Sequence, residues 1–223
     1  EESPYVSLAW AVEKAGEGDT IRLSPGEHVL TDELTIGKAL TICGAGSDRT
    51  VSSIVGDKRD HRLLILNHPD AAIANLTVDG KGVKESVGTG AGIYIQTAGG
   101  VVSDVIVRNC YCNKYATSGG GISIAKDAAA LVDSVIVSNC STHCESSGGG
   151  TALYMAGGLV RNSLFVFARK SDNVTPANGG GTVYVNGGEM VNCTIADNTA
   201  SACSGVRAET GLVRDCIIAG NKH

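Results

Sequence analysis

The sequence has little charge and few aromatic side chains. Charged residues make up 18% and aromatic residues 4% of its 223 residues, whereas typical globular proteins carry about 25% charged residues. Lys and Arg number only 18 and the formal net charge is -5, so the sequence lacks the basic surface that nucleic acids require. No apolar run approaches the ~20 residues that span a bilayer. We therefore expect neither a nucleic-acid partner nor a membrane span.

Glycine and cysteine are plentiful by contrast, with 30 Gly and 8 Cys. Glycine at about twice its usual share predicts many turns, and 43% apolar residues are enough to form a core. Eight cysteines are many for a reducing cytosol and favour an exported protein. The sequence begins at Glu1 without a basic-then-apolar leader, so we expect a processed secreted protein or an excised domain.

A repeat runs through the last two thirds of the chain. Glycine clusters begin at Gly90, Gly119, Gly148 and Gly179, with spacings of 29, 29 and 31 residues. A short alternating segment follows each cluster, which predicts a β-strand. These segments are Ile93-Tyr94-Ile95, Ile122-Ser123-Ile124, Leu153-Tyr154-Met155 and Val183-Tyr184-Val185, with Val206-Arg207-Ala208 as a shorter last copy.

A second strand also recurs, as VVSDVIVRN, LVDSVIVSN, LVRNSLFVFA, MVNCTIADN and LVRDCIIAGN. Aligning these units predicts four columns of equivalent residues. The columns are Val101, Leu131, Val160, Met190 and Val213; Asp104, Ser134, Ser163, Cys193 and Cys216; Ile106, Ile136, Phe165, Ile195 and Ile218; and Asn109, Asn139, Asn198 and Asn221, interrupted by Ala168.

Strands this short bury a face only by stacking on copies of themselves, so the repeat predicts an all-β parallel β-helix. We expect one domain over residues 1–223, with rungs of about 29 residues most regular from 72 to 221. A short helix over about residues 4–16, with Ser3 as N-cap and Pro4 at its first position, is expected to cap one end. Because the repeat stops without a cap, we expect the natural chain to continue.

The residues resemble a known superfamily. The segment AWAVEKAGEGDTIRLSPGEHVLTDELTIGKALTICGAG, residues 9–46, resembles the first rungs of right-handed parallel β-helix proteins of the pectate-lyase-like superfamily. The GGGI, GGGT, VIVSN, TIADN and IIAGN units are similar to the repeats of polymorphic outer-membrane proteins and related bacterial surface β-helices. The resemblance implies a single-stranded right-handed β-helix on the surface of, or secreted by, a bacterium. It leaves function open, because that superfamily includes enzymes, adhesins and passenger domains.

A column of tyrosines is the strongest indication of a binding surface. Tyr94, Tyr154 and Tyr184 occupy equivalent outward positions, followed in the same column by Arg207. Two residues further along are Gln96, Asn186 and Glu209. An exposed line of rings with polar neighbours suits a glycan or partner groove, although tyrosine also simply suits an exposed β face.

Catalysis is the rival hypothesis. The resemblance implies that a lyase would need a basic residue and Ca²⁺-binding carboxylates. The sequence offers only Arg207, Lys126 and either Glu209 or Asp79 for such roles. It predicts no cofactor and no metal site.

The cysteines leave three alternatives. Cys193 and Cys216 fall in one column on neighbouring rungs, and Cys110 and Cys140 are equivalent as well, with Cys112 and Cys144 close by. A rung spacing of ~4.8 Å lies within the Cα separation of a disulfide, so disulfides and stacked free thiols both fit. A metal site formed by Cys110, Cys112, Cys140, His143 and Cys144 is the third alternative, although the spacing matches no familiar zinc module.

The leading hypothesis is a non-enzymatic, exported bacterial β-helix scaffold that contacts a polysaccharide or a cell-surface partner through its exposed parallel sheet. The alternatives are a polysaccharide lyase, or another carbohydrate-active enzyme of the same fold, and a purely structural spacer.

Overall fold

The computed structural model describes residues 7–57, 61–82, 89–112, 119–142, 149–170, 181–200 and 203–222. They form a parallel β-solenoid, as the repeat predicts: short strands join three long sheets, A, B and C, and a small sheet D, and every pair of neighbouring strands is parallel. Each sheet takes one strand from each successive rung, so strands next to one another in space are about one repeat apart in sequence.

The strand bounds follow the repeat. Sheet A contains Thr20–Arg22, Thr41–Cys43, Ala72–Ala74, Gly100–Ser103, Ala130–Asp133, Leu159–Arg161, Glu189–Val191 and Leu212–Arg214. Sheet B contains Gly26–Leu30, Ser52–Gly56, Thr77–Asp79, Ile106–Arg108, Ile136–Ser138, Leu164–Val166, Thr194–Ala196 and Ile217–Ala219. Sheet C contains Leu34–Ile36, Leu64–Leu66, Ile93–Ile95, Ile122–Ile124, Leu153–Met155, Val183–Val185 and Val206–Ala208. Sheet D contains Tyr111–Cys112, Ser141–Thr142 and Arg169–Lys170.

The core is a set of stacked apolar columns inside the solenoid. In sheets A and B the inward column comes from the middle of each strand, and in sheet C it comes from the two ends of each strand. The fully buried members include Val102, Val132, Val160 and Met190 in sheet A, Val107, Val137, Phe165 and Ile195 in sheet B, and Ile93, Ile95, Ile122 and Ile124 in sheet C. The central residues of the sheet C strands therefore point out of the solenoid, since side chains alternate along a strand.

The predicted columns contain a one-residue slip between the second and third units. Leu131 lies beside Leu159, and Val132 lies beside Val160, so Val101 and Leu131 do not share a column with Val160. Val137 lies beside Phe165, so Ile106 and Ile136 are likewise one residue out of register. Because side chains alternate with period two, this slip assigns residues to the wrong face. Val101, Leu131, Ile106 and Ile136 are accordingly half-buried outer residues.

The slip also places residues from different positions around the solenoid corners in the same predicted column. Between sheets A and B one residue in each of the last six rungs takes a left-handed φ, namely Asn75, Asp104, Ser134, Asn162, Asn192 and Asp215. A second left-handed column follows sheet B and contains Asn109, Asn139, Phe167, Asp197 and Gly220. Asn, Asp and Gly accept this conformation easily, whereas Phe167 is a bulky exception.

Asn198 and Asn221 form an inward ladder, separate from Asn109 and Asn139. The Asn198 amide is fully buried; its Oδ1 accepts from the Ala168 backbone N–H at 2.9 Å, and its Nδ2 donates to Phe165 O at 3.0 Å. The Asn198 Nδ2 also donates to Asn221 Oδ1 at 2.9 Å. The ladder satisfies backbone groups that the turn would otherwise leave buried without partners.

The N-terminal helix is shorter than expected. It spans Leu8–Lys14, and the Ser7 hydroxyl accepts from the Trp10 backbone N–H at 3.2 Å. The N-cap of this helix is therefore Ser7 and not Ser3 as expected; Ser3 and Pro4 themselves lie outside the described residues. Leu8 and Val12 are buried and belong to the core cluster, so the helix extends the core beyond the first rung. Within the described residues no helix is long and apolar enough to cross a membrane.

The glycine clusters have a steric cause. A Cβ on Gly119 would collide with the carbonyl oxygen of Ile122, and one on Gly150 would collide with that of Leu153. The backbone turns sharply here, so each of these glycines lies against the carbonyl group of the residue three positions later, in the strand that follows. Gly119 and Gly150 therefore leave no room for a side chain.

Replacing Gly150 by Ala should destabilise the fold. We expect a loss of about 1–3 kcal/mol in the free energy of unfolding, typical of overpacking, measured by urea denaturation. Gly37→Ala is the matched control, because nothing lies within 4 Å of a Cβ there. Equal urea midpoints for the two variants would contradict this explanation of the repeat.

The described cysteines are free thiols in this structure. Cys193 lies beside Cys216, since the next residues, Thr194 and Ile217, are paired. Cys110 lies beside Cys140 in the same way, whereas Cys112 lies beside Thr142. Contact with the Cys140 thiol, together with burial, raises the pKa of Cys110, and burial raises that of Cys193 to about 11. Cys144 lies outside the described residues. The disulfides proposed from the sequence remain a prediction.

We expect protein isolated from an oxidising compartment to contain Cys193–Cys216 and Cys110–Cys140 disulfides, because each pair lies one rung apart. Each bridge lowers the intact mass by two hydrogens, which mass spectrometry without reductant detects. Cys193→Ser and Cys110→Ser should each abolish one bridge. Alkylation of all eight cysteines in unreduced, denatured protein would overturn the prediction.

Candidate binding site on the outer face of sheet C

The central column of sheet C contains the residues that the sequence singles out. Tyr94, Ser123, Tyr154, Tyr184 and Arg207 lie side by side on five successive strands. Their strand neighbours fill the core, so these five side chains point outward. The structure thus places the three tyrosines and Arg207 in one line along the solenoid.

Two of the three rings are not exposed as expected. Tyr154 is 9% and Tyr184 5% exposed, whereas Tyr94 is half-buried. Ser123 between them is fully buried, and its hydroxyl lacks a hydrogen-bond partner. The prediction of an open line of stacking rings was therefore wrong for Tyr154 and Tyr184, whose side chains are largely covered.

Tyr154 and Tyr184 form one packed aromatic pair. Their ring centroids are 5.5 Å apart with an interplanar angle of 77°, the edge-to-face arrangement that aromatic quadrupoles favour. Asn186 Nδ2 donates to the Tyr154 hydroxyl at 3.4 Å. The Arg207 guanidinium lies 5.1 Å from the Tyr184 ring centroid, a cation–π distance.

Glu209 completes this polar cluster. Its carboxylate accepts from Arg207 Nη2 at 2.5 Å and from the Tyr184 hydroxyl. The Tyr184 hydrogen bond and the Arg207 charge hold the pKa of Glu209 below its usual value. Burial and the hydrogen bond to Glu209 raise the pKa of Tyr184 to about 12. Tyr184 is therefore a neutral donor, and Glu209 an engaged carboxylate, at physiological pH.

Tyr94 and Gln96 lie apart from this cluster on an earlier rung. The Arg62 guanidinium lies 5.2 Å from the Tyr94 ring centroid and forms an ion pair with Glu33, with Arg62 Nε 2.5 Å from the carboxylate. Gln96 is half-buried. The sequence-predicted set is thus divided into two groups.

A cavity of about 700 Å³ opens beside Tyr154, at the turns that lead from sheet C to sheet A. Its walls include Lys126, Asp127, Tyr154, Asn186 and Thr210. Its floor consists of Gly157, Gly158, Gly187 and Gly188. The volume lies in the range of small-molecule sites, about 300–1,000 Å³.

The cavity combines hydrogen-bond donors and acceptors. Lys126 supplies an ammonium group, Asp127 a carboxylate, Asn186 an amide and Tyr154 a hydroxyl. The two charges cancel, so the site suits a ligand whose groups both donate and accept. Tyr154 and Asn186 were predicted from the sequence, whereas Thr210 and the glycine residues were not, although the Gly-Gly pairs one residue after two sheet C strands mark these short turns.

Asp79 lies on a different sheet from Arg207 and Glu209, the ion pair among the residues proposed for a lyase. Asp79 lies in sheet B, where Arg108 Nε donates to it at 2.7 Å and Asn109 Nδ2 at 2.9 Å. Although burial raises the pKa of Asp79, these hydrogen bonds hold it below its usual value. Lys126 lies instead in a turn after sheet C, and Arg207 is paired with Glu209. Asp79 therefore links two neighbouring rungs through these hydrogen bonds.

Among the described residues no three His, Cys, Asp or Glu side chains are grouped as a metal site would require. His143 and Cys144, which the metal alternative included, lie outside the described residues.

The raised pKa of Tyr184 gives a test in alkaline solution. In a tyrosinate absorbance titration we expect its phenol to ionise near pH 12, and Tyr184→Phe to remove this transition. Because the folded pKa exceeds the usual 10.0, the stabilisation is complete below pH ~10 and is lost as pH rises toward 12. Glu209→Gln should lower the pKa partway, since burial remains. An unchanged titration in Glu209→Gln would contradict the assigned hydrogen bond.

Comparisons with known proteins assign no family. No family model matches the chain, and no curated protein is similar to it. Among solved structures it is similar to ORF18 of Geobacillus virus E2, with 11% identity and a TM-score of 0.34 over 96% of this chain and 55% of that one. The chain thus spans about half the length of that viral protein, and so weak a likeness carries no argument. The resemblance to pectate-lyase-like and outer-membrane repeats remains a prediction.

Proposed function

We propose that this chain is a non-enzymatic β-helix scaffold, exported to the bacterial surface or medium, that binds a glycan beside the outer face of sheet C. The observation that carries the proposal is the cavity at Tyr154 and Asn186. It joins an aromatic edge to an amide, a hydroxyl and one charge of each sign. Sugar hydroxyls both donate and accept hydrogen bonds, so such a mixed set suits them.

The neighbouring cluster supports binding more than catalysis. Glu209 is held by Arg207 and Tyr184, and the lowered pKa of Glu209 keeps this carboxylate ionised. A general acid requires a raised carboxyl pKa. The cluster instead fixes Tyr184, against which Tyr154 packs, and so helps to orient one wall of the cavity.

Export is supported by the two in-register cysteine pairs, whose geometry suits disulfides in an oxidising compartment. It also fits a ligand found outside the cell, such as a surface polysaccharide.

A glycan array tests the binding. We expect the 223-residue chain to bind at least one neutral oligosaccharide, and Asn186→Ala to weaken that binding about tenfold, the effect of losing a hydrogen bond worth about 1.4 kcal/mol.

Gln96→Ala is the matched control. Gln96 follows its sheet C strand as Asn186 follows its own, but it does not line the cavity, so binding should be unchanged. Failure to bind any saccharide would refute the proposal, and equal losses in both variants would refute this location for the site.

A further inference from the structure

The turns from sheet C to sheet A change length abruptly at the cavity. Residues 125–130 separate the paired strand residues Ile124 and Leu131, whereas only residues 156–158 separate Met155 and Leu159 on the next rung. The following turns, 186–188 and 209–211, are equally short. The preceding turn, 96–100, has five residues. The six-residue segment 125–130, whose last residue Ala130 begins the sheet A strand, is here called the ledge.

The ledge projects beyond the turn that follows it. Both turns begin and end at paired residues, so the three additional residues lengthen the ledge. Its exposed residues are Lys126, Asp127 and Ala129, whereas Ala128 and Ala130 are buried. A Cβ on Gly157 would lie 2.7 Å from Ala128 N and 2.9 Å from Asp127 N, which shows that the short turn packs directly against the ledge backbone. Lys126 and Asp127 are exposed and line the cavity above this contact.

The ledge therefore bounds the cavity on one side. Lys126, Asp127 and Ala128 bound it toward the earlier rungs, and no residue of the described turn 96–100 lines it. Toward the later rungs its lining continues over the short turns to Thr210. A saccharide chain lying over the short turns would meet the ledge at one end.

We propose that the cavity binds the terminal residue of a glycan, with the ledge as the stop that excludes internal residues. This inference rests on the glycan binding proposed above and specifies its mode. A terminal sugar carries a free hydroxyl where an internal sugar carries a glycosidic bond. The ammonium of Lys126 donates to such a hydroxyl and the carboxylate of Asp127 accepts from it, whereas a glycosidic oxygen has no proton to donate.

End-blocked saccharides test this mode. The probes are hexasaccharides of glucose, mannose, xylose, galactose and N-acetylglucosamine, each free, with a bulky cap on its reducing end, or with the same cap on its non-reducing end. For a hexasaccharide that binds, we expect one capped form to bind as the free form does. The other capped form should bind at least about tenfold more weakly, because a site that hydrogen-bonds a ligand hydroxyl strongly disfavours a ligand that lacks it.

A shortened ledge provides the second arm. Replacing residues 125–130 by Ala-Gly-Gly, the sequence of the turn at 156–158, should make both capped forms bind equally well. The double variant Lys126→Ala/Asp127→Asn keeps the turn length, so it should weaken binding of the free form while the blocked end stays excluded. Circular dichroism and urea midpoints verify that each variant is folded.

The outcomes separate the two proposals. Binding of a free hexasaccharide with equal affinity for both of its capped forms would overturn end recognition while leaving glycan binding intact. Unchanged end preference after the ledge is shortened would likewise overturn the role of the ledge. Failure of every hexasaccharide to bind would overturn both proposals.

Discussion

Each rung of the solenoid lies one strand spacing, about 4.8 Å, from the next, so every side chain must fit the residues above and below it in its column. Inside, apolar columns meet this constraint with full burial, as Val132 and Val160 do. At corners, hydrogen bonds between rungs meet it, as when Asn162 Nδ2 and Arg161 Nε donate to the Asp133 carboxylate at 2.8 and 2.7 Å. A three-residue strand is not stable alone, and stacking on the neighbouring rungs gives it the hydrogen-bond partners and buried contacts that stabilise it.

The same constraint explains how far the sequence predicts the fold. Glycine clusters and recurring strands are sufficient for a parallel β-helix, because only stacking buries such short strands. The predicted register failed where the unit LVDSVIVSN was aligned with LVRNSLFVFA by its apolar letters. The corner residues Ser134 and Asn162, both with left-handed φ, give the correct alignment. Their preference for turns was visible in the sequence, whereas apolar letters occur on both faces of these strands.

The candidate site was predictable in position but not in shape. The tyrosine column follows from the alternation within sheet C, where the strand segments predicted from the sequence lie in the observed register. Its burial depends on what packs across the rungs: Tyr184 is covered through contacts with Tyr154, Arg207 and Glu209. The cavity depends on a difference between two turn lengths, which becomes measurable only once the strands on either side are correctly aligned.

Turn length varies here without any break in the strand register. The register of sheets A and C is continuous through the ledge. Lys126 and Asp127 lie exposed on the outside, whereas Ala128 and Ala130 are buried and join the core cluster. The backbone at the cavity is nevertheless fixed at both ends of its floor. Ala156 N donates to Ile124 O at 3.1 Å, and Glu189 N donates to Gly158 O at 3.0 Å. A site formed in this way is preorganised, so little conformational freedom is lost when a ligand binds. A parallel β-helix can therefore change its ligand by lengthening or shortening single turns, while the stacked columns that stabilise the fold remain as they are.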